Sequence, residues 1–248
     1  MGNIIKIEPE AILTNFLRNN LTDINSARSG NWIYDDFPLV TGLGNASFPR
    51  VGVTKIDESS DYLGISDDTQ YDTIPMQIDV VAKKDQLYSV TSTDESLGVI
   101  ANDARLTMDN IPTSVTNIKH TVTGFGTVTL KNTDALFTTP ASLAAGTVEV
   151  SLSTGNLNFS AADLTSYSGE TITTTYVYAL SNDKAAKYLA RQIVVKIRTL
   201  WRTDSTMEGL FYPVKISNRQ IPLDEDNGIF RRTIEYTFNA FNTGEGTC

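Results

Sequence analysis

Residues that carry chemistry are scarce in this chain. Its 248 residues include one cysteine, Cys248, and one histidine, His120. A lone cysteine excludes a disulfide framework or a multi-cysteine zinc site within one chain. At the last position, Cys248 is expected to be loosely ordered. A lone histidine leaves a Ser-His-Asp arrangement one candidate base, and no Gly-x-Ser-x-Gly turn accompanies it. His120 lies in Asn117-Ile118-Lys119-His120-Thr121, which reads as a strand, so a strand-surface or core-edge role is expected. The glycine pairs around Leu43 and Phe125 lack a following helix and predict turns, not a phosphate cradle.

Long apolar runs are also missing. None approaches the ~20 residues of a membrane span, so no membrane association is expected. The first residues, Met1-Gly2-Asn3-Ile4-Ile5-Lys6, are too short and too interrupted for a signal segment. Lys6 stands where a myristoylation pattern needs Ser or Thr. Synthesis and assembly in the cytoplasm are the expectation.

What is present is ordinary globular material: 40% hydrophobic and 20% charged residues, enough to bury a core and too apolar for a disordered chain. The net charge of −9 repels phosphates. It disfavours general nucleic-acid binding but does not exclude passive passage of DNA through a pore. Two acidic clusters, Asp57-Glu58-Ser59-Ser60-Asp61 and Asp224-Glu225-Asp226-Asn227-Gly228, offer hard oxygen ligands. Neither has calcium-loop spacing, so solvated loops are expected. No catalytic residue, metal site or cofactor is predicted.

The order of elements is clearer. Pro9 opens a helix carrying Ile12, Leu13, Phe16, Leu17 and Leu21 at helical spacing and ending near Asn25. Strands are predicted at 32–34, 37–40, 48–56 and 74–82, with a loop over 57–73. The stretch 86–180 is rich in Thr, Ser, Val and Gly and predicts strands at 114–123, 126–131, 146–152, 155–159 and 170–178. Ser153-Thr154-Gly155-Asn156 is its clearest hairpin turn. Helical spacing returns over 183–202: Ala186, Leu189, Ala190, Ile193, Val194, Ile197, Leu200 and Trp201 form an apolar face. Lys184, Lys187, Arg191, Lys196, Arg198 and Arg202 make its polar face basic. Two strands, 210–217 and 229–241, close the chain. The fold class is therefore α+β: a mixed or antiparallel sheet packed with two helices in α-β-β-β-α-β-β order. This core spans 1–85 plus 181–248 and carries an inserted β-sandwich-like domain over 86–180.

Charge is unevenly spread. Basic groups crowd the second helix and acids crowd 57–72. In a head-to-tail ring, one copy's basic face would meet its neighbour's acidic loop. The candidate interface residues are Arg191, Arg198, Arg219, Asp224, Arg231, Arg232, Asp57 and Glu58. For Arg231-Arg232, an ion pair within the subunit and a reach across an interface both remain open.

The order of helix, β section, amphipathic helix and closing strand pair resembles the tail terminator proteins of tailed viruses. The run Val214-Lys215-Ile216-Ser217-Asn218-Arg219-Gln220-Ile221-Pro222-Leu223-Asp224, followed by Phe230-Arg231-Arg232-Thr233-Ile234-Glu235-Tyr236, is similar to that family's C-terminal portion. There a strand turns through an Ile-Pro-acidic loop into a strand bearing arginines. The likeness covers 1–84 and 182–242, and the 86–180 stretch departs from a minimal terminator. Gly146-Thr147-Val148-Glu149-Val150, 154–159 and 169–178 resemble a β element recurrent in tail and baseplate proteins. The resemblance implies a non-enzymatic virion subunit forming a homohexameric ring. Such a ring ends tail-tube polymerisation, meets tail tube protein and head–tail connector proteins, and lets viral DNA pass through its lumen. The alternatives are another virion part (tail tube subunit, head–tail connector or baseplate protein) or a carbohydrate- or receptor-binding module. In the binding module, Tyr167, Tyr176 or Tyr178 would stack on a sugar.

Overall fold

A computed structural model describes residues 8–25, 27–36, 43–44, 47–57, 59–62, 69–84, 86–101, 106–121, 123–207, 210–224 and 228–243. In chain order its helices and strands begin with α1 (Pro9–Asn20), β1 (Ile33–Tyr34), β2 (Arg50–Lys55), β3 (Ser59–Tyr62) and β4 (Thr69–Lys83). There follow β5 (Leu87–Val99), β6 (Pro112–His120), β7 (Thr123–Gly124), β8 (Thr127–Lys131), β9 (Thr147–Ser151) and β10 (Leu157–Phe159). The chain continues with α2 (Ala161–Ser166), β11 (Thr171–Ser181), α3 (Asn182–Leu200), β12 (Phe211–Asp224) and β13 (Ile229–Thr243). The fold is α+β, with strands predominating. Two compact units result: Met1–Tyr88 with Ser181–Cys248, and Ser89–Leu180.

The first unit is built on one sheet in the order β1-β2-β4-β13-β12, with β3 pairing a second stretch of β4. Strands β4 and β13 pair antiparallel over their whole length, from Ile229 opposite Lys83 to Thr243 opposite Thr69. Alternation then puts Ile74, Met76, Ile78, Val80 and Ala82 of β4 on one face with Ile234, Tyr236, Phe238 and Ala240 of β13, and all are buried. Helix α3 covers that face with Ala186, Leu189, Ala190, Ile193 and Ile197. Helix α1 adds Leu13, Phe16 and Leu17 beside β1 and β2. The predicted apolar stripes are the ones that pack.

Several expectations are corrected. The first helix stops at Asn20, where the Leu21 N–H closes the last turn on the Leu17 carbonyl at 2.9 Å. Residues 59–62 and 69–73 are paired strands rather than loop. Their polar side chains hid a pairing made by backbone. The Ile221-Pro222-Leu223 segment is not a loop either: β12 runs through it to Asp224. Proline is tolerated there because β12 is the sheet edge, and the pairing shifts register between Ile221 and Asp224. The strand expected at 37–40 and the glycine turn beginning at Gly42 fall wholly or partly outside the described residues.

The second unit holds a four-stranded sheet, β5-β11-β6-β7, and a three-stranded sheet, β10-β9-β8. The predicted β9–β10 hairpin is present, with Leu157 opposite Val150. Gly155 makes its turn at φ +75°, and its N–H donates to the Ser151 carbonyl at 2.9 Å. A Cβ at Gly155 would lie 3.3 Å from the Met108 Cβ. Gly155→Ala is therefore expected to destabilise this unit by about 1–2 kcal/mol, from backbone strain plus crowding. Hydrogen exchange at the β9 and β10 amides checks this, and unchanged protection would refute it.

Two elements here were not foreseen. Strand β5 buries only Tyr88 and Val90 well, so it lacks the alternation that marks a strand. Helix α2 has no apolar stripe. Its Ser160 side chain accepts from the Asp163 N–H at 3.0 Å, and the Ser160 hydroxyl donates to the Asp163 carboxylate at 2.7 Å. That Ser-x-x-acid signal was in the sequence.

Candidate functional site

The outer face of the first unit's sheet is polar yet locally buried. Asp79 stands mid-strand in β4, between β2 and β13, and is 0% exposed. Thr233 lies directly opposite it on β13 and Arg231 one pair along the diagonal. The Arg231 Nε and Nη2 groups donate to the two Asp79 oxygens at 2.9 and 2.8 Å. The Thr233 hydroxyl donates to Oδ1 at 2.6 Å and the Gln77 amide to Oδ2 at 2.7 Å. Four donors make burial of this carboxylate tolerable. Farther out on that face, Glu235 accepts from Ser217 at 2.8 Å and from Arg219 at 2.6 Å.

This network settles where several predicted interface residues sit. Arg231 is bound to Asp79 of its own chain. Arg232, on the opposite face, donates to the Gln220 side chain at 2.9 Å. Arg219 lies on β12 beside Glu235. Arg191 and Arg198 are exposed on α3, with Lys184, Lys187 and Arg202, while Lys196 is half-buried. The Asp224 backbone ends β12 opposite Ile229. Asp57 is exposed between β2 and β3, and Glu58 lies outside the described residues. So Arg219 and Arg231 share one face of the sheet, Arg232 lies on the other, and Arg191 and Arg198 are exposed on the helix that covers that second face. Burial pushes the Tyr236 hydroxyl up to about 12, and the charge of Arg198 offsets only part of this.

The sequence reading missed Asp79 and the apolar character of the β12 edge. The available signal for the first was Val81, an apolar residue on the same face as Gln77 and Asp79 in a strand that otherwise alternates. At the edge, Tyr212, Val214 and Ile216 are 58%, 55% and 60% exposed. Tyr212 sits at φ +49° where pairing with β13 shifts register between Phe211 and Val214. Its ring lies 5.9 Å from that of Trp201, over which the Arg202 guanidinium stacks at 4.9 Å. These residues border a hollow of about 520 Å³ floored by Met207 and Leu210.

In the second unit, His120 contacts Glu170 through Nδ1 at 3.1 Å and stacks on Tyr167 at 3.7 Å between ring centroids. Thr121 donates to the same Glu170 carboxylate at 2.6 Å. The hydroxyl thus addresses the carboxylate and not the imidazole, which is not a nucleophile–base pair. Those two bonds lead in holding the Glu170 carboxyl below its usual range. Tyr176 and Tyr178 are 0% and 7% exposed, so neither offers a ring for sugar stacking. Among the described residues, no group of three or more His, Cys, Asp or Glu side chains is placed to hold a metal ion, and no helix is long and apolar enough to cross a membrane. No protein-family model matches this chain, and no curated protein matches it.

Proposed function

We propose that this chain is a structural subunit of a tailed-virus virion, a tail terminator. Its copies close into a ring, hexameric by the family resemblance. The ring ends tail-tube polymerisation and offers a docking face to the head connector. The observation that carries this reading is the first unit's surface. An edge strand with exposed apolar side chains adjoins a helix whose outer face is basic, in a chain that is otherwise strongly acidic. Surfaces of that kind serve association between proteins, not turnover of a substrate. The element order supports the same reading. Residues 86–180 stand as an insert between two elements of the ring-forming core, and such inserts are tolerated where their ends lie close. The insert decorates the ring or meets head or connector proteins.

Immunogold labelling of purified virions tests the assignment. Gold in one cluster at the head–tail junction is the expected result. Gold along the tail, or at its far tip, would replace the terminator by a tube or baseplate subunit. Virions without gold, when control epitopes are accessible, would sink the structural role.

A further inference from the structure

We infer that the hollow between the end of α3 and the start of β12 is a binding site for a neutral sugar, one hexopyranose ring seated against Tyr212. The site lies wholly within the first unit, and the inference does not rest on the ring reading.

The hollow has the size and lining of a small-ligand site. Its volume of about 520 Å³ falls within the roughly 300–1,000 Å³ usual for such pockets. Met207 and Leu210 form a dry floor, both nearly unexposed. Tyr212 is 58% exposed and sits at φ +49°, a backbone conformation that an aromatic residue rarely adopts. The strand slips register there, so the ring is presented at the hollow instead of packing in the sheet. Residues held in such conformations are a feature of ligand sites.

Polar groups converge on the same space. Asp204 accepts from the Thr206 hydroxyl, from the Asn20 amide and from the Thr206 N–H at 2.9 Å. Those bonds hold its carboxyl below the usual range, so it is charged at neutral pH. They use three of about four acceptor sites on a carboxylate and leave one for a ligand hydroxyl. Arg202 stacks over the Trp201 ring and makes no hydrogen bond among the described residues, so its guanidinium donors are available. An acceptor, a fork of donors and an exposed ring thus border one hollow.

That combination selects the ligand. An apolar molecule would cover Asp204 and Arg202 and leave them unsatisfied. A cation would enter a segment, 184–219, that holds eight basic side chains against two acidic ones, and Arg202 already occupies the Trp201 ring. An anion would meet the Asp204 carboxylate. A flat base slotted between two rings needs them parallel, and Trp201 and Tyr212 are tilted by 55° with centroids 5.9 Å apart. A hexopyranose is neutral and puckered. Its C–H face can lie on the exposed Tyr212 ring while its hydroxyls donate to Asp204 and accept from Arg202.

Nuclear magnetic resonance of the full chain tests this, because the chain has two tryptophans and the indole N–H of each gives its own signal. Trp201 borders the hollow, and Trp32, 7% exposed, serves as the internal control. The probes are the methyl α-glycosides of glucose, galactose, mannose, rhamnose and N-acetylglucosamine, with mannitol as an acyclic polyol. At least one glycoside should shift the Trp201 signal saturably, with a Kd on the order of 1 mM for a ligand of this size. Trp32 should stay still, and mannitol should do nothing. Tyr212→Ala should weaken binding at least about tenfold, and Tyr212→Phe, which keeps the ring, should bind within about threefold of wild type. Arg202→Ala should also weaken it, while Tyr167→Ala in the other unit should not. Circular dichroism confirms that each variant folds. Absence of saturable shifts with every glycoside up to about 100 mM, two decades above the expected Kd, overturns the inference. So does mannitol acting as the glycosides do, or Tyr212→Ala binding as the wild type does. Adenosine or N-acetylarginine methyl ester that shifts Trp201 saturably where no glycoside does also overturns it and reassigns the hollow to a base or a cation. The position of the gold label on virions is a separate readout, so the terminator reading stands or falls independently of these results.

Discussion

Asp79→Ala is expected to destabilise the first unit by about 3 kcal/mol, which would make it among the most damaging single changes on the sheet's outer face. The carboxylate is fully buried and receives four hydrogen bonds from Arg231, Thr233 and Gln77. Its removal leaves the Thr233 hydroxyl and the Gln77 amide without their acceptor, at ~1–3 kcal/mol for each buried group left unsatisfied. The Arg231 side chain is 30% exposed, so its charge recovers some hydration and the loss stays below the sum of these terms. Asp79→Asn should cost nearly as much, because an amide presents a donor where Gln77 and Arg231 also donate. Asp79→Leu with Arg231→Leu should recover most of the loss, since a buried ion pair is worth little against apolar packing of similar volume. The check is hydrogen exchange along β4 and β13, which reports this unit apart from the other. A cost below ~1 kcal/mol for Asp79→Ala would mean that water replaces the carboxylate at no penalty.

The Asp79 cluster also shows what sequence can and cannot give. The α3 stripe was legible because one helix carries its own period: of the buried positions Ala185, Ala186, Leu189, Ala190, Ile193 and Ile197, all but Ala185 belong to the predicted face. The β4 and β13 alternation was legible for the same reason. What failed was pairing across distance. Arg231 and Asp79 are 152 residues apart, and only the β4–β13 register makes them diagonal neighbours. Nothing local distinguishes Arg231, tied to Asp79, from Arg232, tied to Gln220. Strand β5 failed differently: beyond Val90 it buries little, and Asp94 and Gly98 at positive φ break its regularity. The exposed edge failed because Val214 and Ile216 look like core residues until β12 is known to be the last strand.

The second large effect belongs to the second unit and depends on pH. Glu149 sits in β9 between β8 and β10, with Asn158 directly opposite it on β10. It is 2% exposed. Burial alone would raise its carboxyl. The Asn158 amide, the Thr138 hydroxyl and N–H, each at 2.8 Å, and the Lys131 ammonium at 3.1 Å together outweigh that and hold it at about 2. The folded value is thus depressed below the ordinary 4.5. The unfolded chain binds this proton more readily, so stability falls as pH drops through the window from about 4.5 to about 2 and is fully present above it. After allowance for solvent screening, the contribution is on the order of 2 kcal/mol. Glu149→Gln should therefore cost about that much at neutral pH, where its amide donors face the donors of Thr138 and Lys131. The gap from wild type should close towards pH 2, because the wild-type side chain is then neutral as well. Glu170 and Asp204 are also held low, but both remain in the variant, so the difference between the two curves isolates Glu149. Exchange protection of the β9 and β10 amides over this pH range reads it directly. Parallel curves for wild type and variant would show that the four donors stabilise the protonated carboxyl as well as the charged one.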